Sequence, residues 1–76
     1  MKKLDLHGIK HKDVKQKVIR FIEDNWDIKE EIEIMTGNSK RMQGIVEEVL
    51  KEYKLEYKIG DFLGFNKSFI KVIMGL

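Results

Sequence analysis

Apolar and polar residues alternate along four short stretches of this chain and recur at helical spacing along two longer ones. Lys3 to His7 reads Lys-Leu-Asp-Leu-His, a strand with Leu4 and Leu6 on one face and Asp5 and His7 on the other. Gly8 ends it. From His11 to Asn25, Val14, Val18, Phe21 and Ile22 fall on one side of an amphipathic helix. Glu31 to Met35 alternates again, with Ile32 and Ile34 together, and Thr36-Gly37-Asn38-Ser39 interrupts it. Met42, Ile45, Val46, Val49, Leu50 and Tyr53 then mark one face of a second helix, the clearest periodicity in the chain. Leu55 to Ile59 predicts a third strand, Gly60 to Asn66 a loop, and Ser68 to Met74 a fourth strand with Ile70, Val72 and Met74 on one side.

The expected order is β-α-β-α-β-β, in one domain spanning residues 1–76. Strand–helix–strand units favour parallel strands joined by right-handed crossovers, which sets both helices on one face of the sheet. The last two strands are joined by too short a loop for a helix, so they form an antiparallel pair. The fold class is therefore an α/β two-layer sandwich with a mixed four-stranded sheet. Its outer face carries Lys3, Asp5, Glu31, Glu33, Glu56, Lys58 and Lys71, charged enough to meet water. Trp26, after the first helix, is expected to close one end of the core.

Composition narrows the class of molecule. Hydrophobic residues make up 42% of the chain, too many for intrinsic disorder. The absence of cysteine rules out disulfides, thiolate metal sites and thiol nucleophiles, and points to a reducing compartment, the cytoplasm. No apolar run follows Lys2 and Lys3, so no signal peptide is expected. No stretch approaches the roughly 20 apolar residues of a membrane span, so no membrane partner is expected. The formal net charge of +2 is mildly basic, but its distribution is uneven. Residues 1–25 hold seven basic and four acidic side chains, whereas residues 26–52 hold four and seven.

The candidate chemistry gathers at one edge. Both strands of a parallel β-α-β unit end on the same side, the crevice where open α/β sheets bind ligands. Here it receives Asp5, His7 and Gly8 from the first strand and Thr36, Gly37, Asn38, Ser39, Lys40 and Arg41 from the second. Each loop feeds a helix N-terminus, whose N–H groups and dipole attract anions such as phosphate. Gly37 would let a ligand approach the backbone closely, Asn38 or Ser39 would cap the helix, and Lys40 and Arg41 would supply cationic donors. Asp5 and His7, roughly 6–7 Å apart along a strand, would either serve one scissile phosphate or play structural parts. In the structural alternative Asp5 bonds turn N–H groups and His7 packs at the strand end. His7 and His11 lack a third partner for a transition-metal site. No nucleophile-elbow context surrounds Ser39, and residues 37–40 do not make a phosphate-binding loop of the nucleotide-hydrolase type.

The same residues carry a family likeness. Leu4-Asp5-Leu6-His7-Gly8 is similar to the LDLHG signature that opens Smr (small MutS-related) domains. Thr36-Gly37 resembles the start of that family's TGxG motif, with Asn38 and Ser39 where the family has a variable residue and a second glycine. The resemblance spans essentially the whole chain. It implies a fold like the C-terminal domain of translation initiation factor 3, nucleic-acid binding, and in many members endonuclease activity on DNA or RNA. By position, Asp5 and His7 match the family's catalytic pair, and Thr36-Gly37 its binding motif. A divalent cation such as magnesium would assist cleavage.

Two other readings stay open: a non-catalytic DNA- or RNA-binding module, and a small protein-interaction domain using the apolar loop of Phe62, Leu63 and Phe65. That loop reads first as a plug for the core, then as a base-stacking platform or a partner patch.

Overall fold

Two helices and four strands follow one another in the expected order. The structure, a computed structural model, describes residues 2–60 and 66–74, so Phe62, Leu63 and Phe65 lie outside the described residues. The strands are β1 (Lys2–Asp5), β2 (Glu31–Met35), β3 (Glu56–Ile59) and β4 (Phe69–Ile73), and the helices are α1 (His11–Asp24) and α2 (Lys40–Glu52). The sheet is mixed, in the order β1-β2-β4-β3. β1 pairs parallel with β2, and β4 runs antiparallel to both β2 and β3. β3 is thus parallel to β2 without touching it, because the returning β4 takes the place between them.

Both helices pack on one face of this sheet, and against each other. Val14, Val18 and Ile22 of α1 and Val46, Val49 and Leu50 of α2 are fully buried against Ile32, Ile34, Ile70 and Val72. These are the positions that the period-two and helical patterns assign to the inside. Leu6 and Met74, each just beyond the end of a strand, close the layer.

Two local expectations change. β1 ends at Asp5, so His7 does not share a strand face with it. The Leu6 carbonyl accepts the Ile9 amide at 3.0 Å, a tight turn in which Gly8 adopts a φ of 77°. That left-handed φ is the one glycine tolerates at the third place of such a turn. Trp26 does not close the core either: it is 51% exposed and packs edge-on to Tyr53, with ring centroids 5.9 Å apart. Asn25 takes the inward place, buried to 3% and donating from its side-chain amide to the Phe21 carbonyl at 2.7 Å. The chain then turns through an Ile28 amide bonded to the Asn25 carbonyl, leaving the indole outside.

The outer face of the sheet carries the expected charges and more. Met35, Phe69 and Ile73 lie there too, half-buried or exposed, on strands whose alternate residues enter the core. No helix among the described residues is long and apolar enough to cross a membrane.

Candidate functional site

The parallel register of β1 and β2 sets Asp5 opposite Met35, and the Leu6 amide continues the ladder by donating to the Met35 carbonyl at 3.0 Å. The turn at residues 6–9 and the loop at residues 36–39 therefore leave the sheet at the same end, and each runs into a helix. The two segments are neighbours on one rim.

Asp5 is exposed, and its Oδ1 accepts the backbone N–H of His7 at 2.8 Å. The exposed carboxylate therefore holds the turn, as the structural alternative has it. His7 is exposed, not packed at the strand end, its backbone fixed relative to Asp5 by that hydrogen bond.

On the second loop, the amides of Thr36 and Gly37 both donate to the Ser68 carbonyl at 2.9 Å. Thr36 is buried, and its hydroxyl donates to the Gly37 and Ser68 carbonyls at 3.0 and 3.3 Å. The Gly37 N–H is thus used within the protein. Glycine is required there by a φ of 65°, and a Cβ would meet no other atom within 4 Å. Of the two cap candidates it is Ser39 that caps α2, its Oγ accepting the Met42 amide at 3.1 Å. Asn38 is exposed beside it. Lys40 and Arg41 are exposed in the first helical turn, where backbone N–H groups have no partner within the helix. The N-cap of α1, Lys10, makes no side-chain cap bond, so the first turn of α1 also presents N–H groups to this rim.

A third segment, at the start of β4, joins the rim. Besides Ser68, it brings Asn66, whose Oδ1 accepts from the Ser68 amide and hydroxyl at 3.0 and 2.6 Å, and Lys67, whose carbonyl accepts from Gln43 at 2.7 Å. Lys40 and Lys67 flank an open groove of about 440 Å³, lined also by Gln43, Gly44, Glu47 and Ile59. Lys67 and Ser68 stand outside the two motifs by which the sequence marks this edge. The Asn-x-Ser turn was a local signal, but only the tertiary fold carries it to the motif rim.

Charge is polarised along the molecule. The rim segments 5–13, 36–41 and 66–68 hold five cations against two carboxylates, net +3. The opposite end, segments 23–31 and 51–56 with Lys2 at the start of β1, holds four cations against seven carboxylates, net −3. Both helix dipoles point the same way, their positive ends at the cationic rim. Among the described residues no three His, Cys, Asp or Glu side chains gather closely enough to hold a metal ion.

The chain matches no protein-family model, no curated protein and no solved structure with which it was compared.

Proposed function

We propose that this rim binds the phosphate backbone of a nucleic acid, and that the chain is a minimal domain of the Smr kind. The observation that supports the reading best is the meeting of two helix N-termini and five cations where two glycine turns leave parallel strands. Phosphate oxygens fit the free amides of both first helical turns, and Lys10, Lys12, Lys40, Arg41 and Lys67 neutralise the charge between them. Gly8 and Gly37 serve by giving the loops their shape.

The binding test is a salt series with single- and double-stranded DNA and RNA. If all five cations engage phosphates, log affinity should fall against log salt with a slope of about −3.5 on single strands and about −4.5 on duplex. The double variant Lys40→Glu/Arg41→Glu should lose binding and flatten the slope. A wild-type slope near zero, or unchanged binding by that variant, would sink the proposal.

A second reading is phosphodiester cleavage at the same place. The Asp5–His7 backbone hydrogen bond favours it, because it fixes the turn on which an exposed histidine and an exposed carboxylate stand two residues apart. His7 would move a proton to or from the attacking water or the leaving oxygen, and Asp5 would orient that water. A magnesium ion would find one carboxylate, Asp5, at this turn and would need phosphate oxygens and water to complete its shell. Incubation of labelled strands with wild type and His7→Ala decides: cleavage that persists in the variant removes His7 from the chemistry.

A further inference from the structure

The one glycine inside α2 is set where a helix former would serve the fold better. Gly44 lies in the interior of Lys40–Glu52, where glycine is a poorer choice than any residue but proline. Neither backbone shape nor crowding calls for it. Unlike Gly8, Gly37 and Gly60 it has no positive φ. Beyond the helix's own backbone and the adjoining residues, a Cβ there would meet nothing within 4 Å among the described residues. What Gly44 does line is the open groove flanked by Lys40 and Lys67, whose volume of about 440 Å³ suits a small ligand. Lys40, Gly44 and Glu47 fall at i, i+4 and i+7, on one side of the helix. Gln43 donates to the Lys67 carbonyl at 2.7 Å and so ties that lysine to α2. Ile59 is on the core side of β3, in register with the buried Ile70, yet 37% exposed to this groove. The lining thus offers two ammonium groups, an apolar stretch at Gly44 and Ile59, and one carboxylate, Glu47, about two helical turns from Lys40.

We infer that this groove seats one unstacked nucleotide of a single strand, its phosphate at Lys40 and Lys67, its sugar and base over Gly44 and against Ile59, and its amino or hydroxyl donors turned to Glu47. The inference rests on the nucleic-acid reading of the rim and names its substrate class. Lys40 belongs both to the rim and to the groove, so a strand held by its phosphates at the rim passes its next nucleotide into the groove. Glycine is the residue that lets another molecule come close to a backbone, and at Gly44 that approach is open from outside. A carboxylate repels phosphate but accepts from base amino groups and from the sugar 2′-hydroxyl, which fits Glu47 standing away from Lys40 along the helix. A base within a duplex is already paired and stacked, whereas a single strand can turn one base out into a cleft.

The test is fluorescence anisotropy with a 5′-labelled single-stranded oligonucleotide and its duplex, on wild type, Gly44→Ala, Gly44→Leu and Lys10→Glu/Lys12→Glu, with Tm measured for each. Both Gly44 variants should melt above wild type, because alanine and leucine are better helix formers and nothing stands in their way. Gly44→Leu fills the groove. It should weaken single-strand binding by about tenfold, the order of effect that one base's contacts have, while duplex binding at the rim holds. Gly44→Ala should fall between. A purely structural part for Gly44 would not make a more stable protein bind worse. If Gly44→Leu binds the single strand like wild type, or loses single strand and duplex equally, the groove assignment is overturned, and the rim reading survives provided Lys10→Glu/Lys12→Glu loses binding to both probes. If wild type binds neither probe, both readings fall together. A wild-type dimer in sedimentation that Gly44→Leu dissociates would assign the groove to a second copy of the chain and overturn the nucleotide seat.

Discussion

Asp5 Oδ1 accepts the backbone N–H of His7 at 2.8 Å, so this carboxylate is tied to the shape of the turn that carries His7. A residue in that position affects function through geometry even if it never touches a substrate. Asp5→Ala should lower stability by about 1 kcal/mol, the usual worth of such a bond, which in a domain this size moves Tm by about 4–8 °C. Asp5→Asn retains an acceptor oxygen and should melt near wild type. Thermal unfolding followed by circular dichroism measures both. If Asp5→Asn loses cleavage while keeping Tm and binding, the carboxylate has a chemical part beyond the turn.

Ser39 caps α2 through the Met42 amide. Ser39→Ala should cost about 1 kcal/mol, and Ser39→Gly only a few tenths. Ser39→Asp separates capping from binding: it remains a good cap and complements the dipole, so stability should hold. It also places a negative charge among the first-turn amides, so nucleic-acid affinity should drop. Equal affinity for Ser39→Asp and wild type would move the phosphate away from this helix end.

Gly37 and Gly60 both adopt positive φ, 65° and 81°, but their surroundings differ. A Cβ on Gly37 meets open space, so Gly37→Ala should cost about 1–2 kcal/mol, the backbone penalty alone. On Gly60 a Cβ would run into the Asn66 backbone carbonyl, so Gly60→Ala must also displace the start of β4. Urea titration should rank Gly60→Ala clearly the less stable. The reverse order would contradict this packing.

Lys54 is the residue with positive φ, 55°, that is not a glycine among those described, and it follows directly on the end of α2. The Leu55 amide returns to the Leu50 carbonyl at 3.0 Å, the bond of a helix ended by a left-handed residue. Lys54→Gly should therefore raise stability by about 0.5–1 kcal/mol, read as a higher urea midpoint at constant slope.

Tyr53 donates its phenol to Glu23 Oε2 at 3.2 Å, joining the ends of the two helices. Partial burial, then the Glu23 charge and hydrogen bond, then the Glu52 charge, hold its pKa above the ordinary 10.0. The folded state thus keeps this proton after the unfolded chain has released it. The contribution is complete below pH 10.0 and shrinks as pH rises through the higher folded value. In Tyr53→Phe the decline of stability above pH 10.0 should be shallower than in wild type, measured by urea midpoints across that range. Matching slopes would mean that the Glu23 contact is not held in solution.

The inward residues of both helices and of β1, β2 and β4 could be read from the sequence, because a period of two or of 3.6 is imposed by backbone geometry and by burial of one face. Ile32, Ile34, Val46 and Leu50 could take no other side without exposing the core. The meeting of the turns after β1 and β2 on one rim was legible for a related reason: parallel strands joined by a helix must end at the same edge. Local rules reached less far at Asp5 and His7, where a side-chain bond and a glycine turn end the strand two residues early, and at Trp26, which Asn25 displaces from the core. What no local pattern contained was the insertion of β4 between β2 and β3. Strand order depends on contacts between residues distant in the chain. That insertion alone delivers Lys67 and Ser68 to the rim, sets Lys71 against Lys58, and lays Phe69 beside Met35 on the open face.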